Sequence, residues 1–197
     1  IRNDLFAHKS FLSPRVYFDH LTKVVLLGAP STGKSTLTEK LAEHFKTTFM
    51  PEYGREYWEL NNIQRRLTSE QLLEIAVTHR ERELVLAHEA NQYFFIDTNA
   101  LTTKVFSQYY HGDSLSGLSK LSNETKERYD LVILCGDDIP YDDTVDRSGE
   151  TNRSDFQKST IQELDEMGIK NHEVTGSIQD RISQVSRILE TMTKGKA

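Results

Sequence analysis

The stretch Val24-Val-Leu-Leu-Gly28-Ala-Pro-Ser-Thr-Gly33-Lys34-Ser35-Thr36-Leu37 decides the architecture. Its opening apolar run, partly β-branched, describes a strand buried on both faces. Gly28 to Ser35 then match G-x-x-x-x-G-K-[ST] in full. Gly28 and Gly33 let the backbone turn with its N–H groups facing inward, where they can cradle phosphate oxygens. Behind the loop, Leu37, Leu41 and Phe45 recur at spacing four and give one apolar face to a helix over 34–46. The dipole of that helix adds to anion binding. Strand, glycine loop and helix in this order separate a phosphate-binding loop from a glycine-rich surface turn. The expected ligands are ATP and Mg2+. Gly28, Ser31, Thr32, Gly33 and Thr36 belong to the phosphate nest, Lys34 reaches the β- and γ-phosphates, and the Ser35 hydroxyl is a metal ligand.

Outward from this loop, apolar runs alternate with helical patterns. Phe94-Phe-Ile96 and Leu131-Val-Ile-Leu134 read as further buried strands, with Thr47–Met50 and Ile169–Val174 as weaker ones. Helices are expected over 69–90, 99–110, 114–128, 154–167 and 178–193, the first of them opened by a capping box at Thr68 and Gln71. The alternation predicts an α/β fold, a P-loop three-layer sandwich around a central, mainly parallel five-stranded sheet, similar to small nucleoside and nucleotide kinases. Residues 1–21 fall outside it. They begin without methionine and carry the turn signal Ser13-Pro14, so they read as a remnant or linker from a preceding domain, with the kinase-like domain over 22–197.

Composition narrows the function. With 37% hydrophobic and 27% charged residues, the chain of 197 residues suits one folded domain plus a short extension. No apolar run approaches the roughly 20 residues that span a bilayer, and no export signal is visible. A net charge of −6 argues against a broad nucleic-acid footprint but not against ATP, which a local nest can bind. Cys135 is the sole cysteine and fits a reducing, cytoplasmic compartment. The histidines show no metal-ligand spacing.

A phosphate loop alone does not choose among kinase, GTPase and motor. After the second strand comes Pro51-Glu52-Tyr-Gly-Arg55-Glu-Tyr57-Trp58, at the sheet edge that faces the loop. Glu52 there can orient or accept a proton from a sugar hydroxyl. Arg55 can bind phosphate or hold Glu52, and Tyr53, Tyr57 and Trp58 can enclose a flat ring, although packing alone also explains them. Asp97 ends the next strand, a position that holds magnesium or shares base work with Glu52. The polar segment 136–153 has the character of a lid, and Arg147 and Arg153 on it suit closure over transferring phosphate. A loop at Val174–Arg181 can contact adenine.

These residues together resemble the nicotinamide riboside kinase domain of NadR-type bifunctional proteins, over about 22–190. The resemblance rests on the phosphate loop, on Glu52-Tyr-Gly-Arg55, on Phe95-Ile-Asp97-Thr98 with Thr102-Thr103, on Tyr110-His-Gly112, on Asp130–Leu134, and on Arg147 with Arg153-Ser-Asp-Phe-Gln157. It implies transfer of phosphate from Mg·ATP to the 5′-hydroxyl of nicotinamide riboside, in NAD salvage. Lys34, Glu52, Asp97, Arg147 and Arg153 would be catalytic, with Arg153 also on the nucleotide. Glu52, Tyr53, Arg55, Tyr57, Asp97, Tyr110 and Tyr141 would line the acceptor, and Ser35 with Asp97 would place the metal. Where related sequences carry Pro-Trp at the lid entrance, this chain has Pro140-Tyr141. In that family a nicotinamide mononucleotide (NMN) adenylyltransferase domain precedes the kinase, and Ile1-Arg2 is similar to its closing motif. Two rivals remain open on the residues alone: a kinase for another nucleoside, including deoxynucleosides, and a nucleotide-sensing module that transfers nothing.

Overall fold

The computed structural model describes residues 6–61, 66–140 and 150–194. A 3-10 turn at Phe6–Phe11 and helix α1 (Pro14–His20) precede β1 (Thr22–Leu27). The chain continues through α2 (Lys34–Phe45), β2 (Phe49–Met50), α3 (Tyr53–Leu60), α4 (Ser69–Ala87) and β3 (Tyr93–Asp97). It then forms α5 (Ala100–His111), α6 (Ser116–Asn123), α7 (Thr125–Arg128), β4 (Leu131–Cys135), α8 (Glu150–Glu166), β5 (His172–Val174) and α9 (Ile178–Lys194). The five strands lie in the order β2-β3-β1-β4-β5, and every pairing is parallel.

Alternation along the strands builds two cores. Val24, Leu26, Phe95 and Ile133 face Leu37, Leu41, Val185 and Leu189 of α2 and α9. Val25, Leu27, Ile96 and Leu134 face the other layer, with Tyr17, Leu101, Val105, Phe156 and Leu164. Both faces are therefore covered, which is why the central strands are continuous apolar runs. Because the sheet is all parallel, the segments after β1, β2, β3 and β4 emerge along one edge, where open α/β sheets bind ligands.

Several expectations change in detail. The second strand shortens to Phe49–Met50 because Lys46, at φ 53, closes α2, and Thr47 bonds Tyr93 through its hydroxyl. The last strand begins only at His172, after a left-handed Gly168. The helix expected over 114–128 divides at Glu124, which ends α6 and begins α7. The segment after β2 begins α3 at Tyr53, with Glu52 as its N-cap residue. Within residues 1–21, read as a remnant or linker, Pro14–His20 form a helix with Ser13 as its cap, and Tyr17 and Phe18 are buried in the core. Lys23 and Arg128 both lie over the Phe18 ring, at 5.3 and 4.6 Å, and the Tyr17 hydroxyl donates to the Ala90 carbonyl.

Candidate active site

The loop between β1 and α2 turns through left-handed or otherwise positive φ at Gly28 (137°), Ser31 (60°) and Gly33 (78°). A Cβ on Gly28 would sit 2.8 Å from the Cys135 carbonyl oxygen, so only glycine fits there. Gly33 begins α2 with no side-chain cap. The first-turn amides are thus left to an anion. Lys34 folds over the loop, its Nζ donating to the Ala29 carbonyl at 2.7 Å, and the Thr32 hydroxyl donates to the same oxygen at 2.8 Å. Thr32 is buried, whereas Ser35 and Thr36 are exposed at the mouth.

Three long-range side chains hold this loop, two of which had no assigned role on sequence grounds. Gln157 accepts from the Ala29 amide at 2.8 Å and donates to the Cys135 carbonyl at 3.1 Å, tying the loop to the end of β4. Arg181 is 2% exposed and donates to the carbonyls of Thr32, Gly136 and Gly176 as well as to Asp138 Oδ1 at 2.6 Å. Burial pushes the Asp138 carboxyl upward, but the Gly176 amide and Arg181 outweigh it, and the group lies below its ordinary value. Arg153 donates to the Ile139 and Ser31 carbonyls at 2.8 and 3.1 Å. It stands in the first turn of α8 rather than on a loop. Arg147 and Tyr141, expected in the lid, lie outside the described residues.

Across a cavity of about 1100 Å³ from the loop stand Glu52 and Arg55. Glu52 begins α3 without capping it by its side chain, so the carboxylate is left to the cavity. Asp97, at the end of β3, is 1% exposed, and neither carboxylate oxygen has a hydrogen-bond partner among the described residues. Burial, and then the Glu52 charge, raise its pKa to about 6, while Lys34, the nearby Ser35 hydroxyl and His79 act in the opposite direction. Cys135 is buried, and desolvation pushes its thiol up to about 12, so it is a packing residue and not a nucleophile.

The aromatic residues divide differently from the sequence reading. Tyr110 lines the cavity together with Trp58, Phe106 and Tyr109. Tyr53 and Tyr57 are not among the lining residues. Tyr57 donates to Glu74 at 2.8 Å and packs on Ile75, and Arg82, paired with Glu56, lies 4.0 Å above the Tyr53 ring. Helical periodicity explains the split: Tyr57 falls on the face of α3 that meets α4, and Trp58 one step further round reaches the cavity. Phe106 and Tyr109 both pack against Phe156 of α8 with tilted rings, at 4.6 and 4.7 Å between centroids. Both were missed, although their place on one face of α5 was a visible signal.

The parallel sheet, the glycine loop and the amide nest at its edge define a P-loop nucleotide-binding protein. A family model described as AAA domain matches residues 23–181, and the chain belongs to that family. It is 32% identical over 174 residues to the trifunctional NAD biosynthesis/regulator protein NadR of Escherichia coli K12, covering 86% of this chain and 42% of that protein. The chain thus spans less than half the length of that relative. Among solved structures, a NadR protein in complex with NR matches at 23% identity and a TM-score of 0.66, over 88% of this chain and 50% of the other. A NadR protein in complex with NAD and AMP-PNP matches at 23% and 0.72, over 95% and 55%. The thymidylate kinase of Ehrlichia chaffeensis shares the fold at 14% and 0.60, over 85% and 98%. Among the described residues no helix is long and apolar enough to cross a membrane.

Proposed function

We propose that this chain transfers the γ-phosphoryl group of Mg·ATP to the 5′-hydroxyl of nicotinamide riboside and so makes NMN for NAD salvage. The observation that carries the reading is one cavity lined by a phosphate nest and by Glu52, with the buried Asp97 close enough to Glu52 and Lys34 that both act on its carboxylate. A sensing module needs the first feature and not the second. Likeness to the E. coli regulator, whose name places it in NAD biosynthesis, supports the acceptor.

The residues fit magnesium. The Asp97 oxygens are buried, without hydrogen-bond partners among the described residues, near the Ser35 hydroxyl, and hard oxygen donors completed by phosphate and water suit that ion. No cluster of three or more His, Cys, Asp or Glu side chains able to hold a metal occurs among the described residues, so the ion would rest on Ser35, Asp97 and the nucleotide. When bound, it would neutralise charge on the transferring phosphate. The amides of residues 31–36 and Lys34 hold the triphosphate in line with the acceptor. Glu52 or Asp97 orients the hydroxyl and takes its proton. The wall of Trp58, Phe106, Tyr109 and Tyr110 suits a flat pyridinium, whose positive charge is attracted to aromatic faces. Arg153, anchored on the loop, and Arg147 would stabilise the transferring charge. We place the reaction in the cytoplasm, and in the longer protein beside an NMN adenylyltransferase domain, on the strength of the family resemblance.

The test is a substrate panel. Purified protein with ATP and Mg2+ is offered nicotinamide riboside, thymidine and deoxycytidine, with products separated and weighed by mass spectrometry. NMN should dominate. Preferential phosphorylation of a deoxynucleoside would replace the acceptor, and ATP binding without any product would favour a sensor.

A further inference from the structure

Behind Asp97 lies a buried polar chain that the reaction as described does not use. His79, on α4, is 5% exposed and sits between two elements. Its Nε2 lies 3.2 Å from the backbone carbonyl oxygen of Asp97, and its Nδ1 lies 3.2 Å from Glu83 Oε1. Since a carbonyl oxygen only accepts, Nε2 is the donor. Glu83, 1% exposed, is fixed in turn by Arg128, through Nε at 2.8 Å and Nη2 at 2.6 Å, and by the Tyr129 hydroxyl at 2.7 Å. The imidazole, which also lines the cavity, is thus held toward the Asp97 backbone by Glu83 on α4 and, through it, by Arg128 and Tyr129 at the end of α7.

The Asp97 carbonyl needs such a donor. The amide of the same peptide, Thr98 N–H, bonds to the Leu26 carbonyl of β1 at 3.1 Å. The carbonyl therefore points the opposite way, toward β2. But β2 stops at Met50, opposite Ile96, and its ladder does not reach Asp97. A buried carbonyl left there would be an unsatisfied acceptor, a costly state for a fold to keep. The next residue adds strain. Thr98 is β-branched yet adopts φ 65, a conformation that persists only when its surroundings over-determine it. The peptide between Asp97 and Thr98 is held on both edges, by Leu26 on one and His79 on the other. Asn99 then caps α5 through the Leu101 amide at 2.9 Å.

We propose that His79, oriented by Glu83, is a positioning residue of the phosphotransfer site: by holding the Asp97–Thr98 peptide it aims the Asp97 carboxylate, unpartnered among the described residues, toward Ser35 and Lys34 of the phosphate loop. The inference deepens the kinase reading and rests on it for its catalytic consequence, while the aim of Asp97 toward a metal can be read without turnover. Outer partners of metal-ligating groups are worth about 10–100-fold in metal affinity or activity.

The experiment compares His79→Leu, His79→Gln and Glu83→Gln with the parent protein in two readouts. One is kcat and KM for ATP and nicotinamide riboside. The other is AMP-PNP affinity with and without Mg2+ by calorimetry. His79→Leu should lower kcat about tenfold, with KM changed less than about threefold, and should shrink the magnesium-dependent gain in affinity about tenfold. His79→Gln, whose amide can still donate toward Asp97, should recover most of both. Glu83→Gln should fall between them, and it carries the test if the leucine variant fails to fold. Parent-like values in folded His79→Leu or Glu83→Gln would overturn the proposal. So would equal losses in the leucine and glutamine variants that merely follow a fall in Tm. A parent protein without turnover would remove the kinase reading instead, and the magnesium readout would still decide the role of His79.

Discussion

At the donor end of the cavity the carbonyls of Ala29, Ser31 and Thr32 each accept from a side chain, supplied by Lys34, Thr32, Arg153 and Arg181. At the acceptor end, Asp97 keeps two buried oxygens with no hydrogen bond among the described residues, and Glu52 leaves its own helix uncapped. The contrast reflects what each end must do. A phosphate nest works through backbone amides that must already point inward, so its carbonyls have to be tied outward. An acceptor site works through carboxylates that need a free lone pair, so satisfying them within the fold would silence them. One end is stabilised by its hydrogen bonds, and the other carries a cost that the rest of the fold offsets.

This contrast can be broken first at Lys34. Lys34→Ala removes a flexible cation from the nest and should abolish measurable turnover, a loss of at least about 10²–10³-fold, in a protein that still folds. Retained activity would mean that the loop is not where the triphosphate binds.

The ties of the donor end are tested through stability. Arg181→Met leaves the buried carbonyls of Thr32 and Gly136, and the part-buried one of Gly176, without this donor. It should destabilise the protein by about 2–4 kcal/mol in urea denaturation, with Asp138 partly relieved because it reaches solvent. Gln157→Leu, which removes two neutral bonds, should cost about 1–2 kcal/mol. A reversed order would mean that the guanidinium is not the main fastener of the loop.

The opposite sign is expected at the acceptor end. Asp97 has a folded pKa of about 6, raised by burial and by Glu52, against an unfolded value of about 3.9. Its ionisation therefore opposes folding above the folded pKa, and this opposition vanishes below the unfolded one. Asp97→Asn should raise Tm at about pH 8, and the gain should fade as pH drops toward about 4. A Tm that falls at pH 8 would show that the carboxylate is already satisfied.

The legible part of this site was the part written in consecutive residues. Gly28–Thr36 announced the nest because loop, strand and helix are local. Asp97 could be placed because it ends a strongly apolar run, and Glu52 because it follows the weaker strand candidate Thr47–Met50. Arg181, Gln157 and His79 received no individual role for the same reason in reverse. Their partners at Thr32, Ala29 and Asp97 lie 149, 128 and 18 residues away, and a lone arginine, glutamine or histidine on a helix carries no periodic signal. Tyr53 and Tyr57 drew attention by composition, whereas Phe106 and Tyr109, on a helix read only for its apolar spacing, line the cavity.

Hydrophobic period and glycine placement thus determined, without further help, that a parallel sheet would carry a phosphate loop at its edge, since both depend on neighbours within a few residues. Only the tertiary structure decided which arginine fastens that loop, which aromatic rings face the acceptor, and that α1 packs its Tyr17 and Phe18 into the core. Those outcomes depend on which helix faces meet once the layers close. Distances across a closed sheet are not recorded in spacing along a chain.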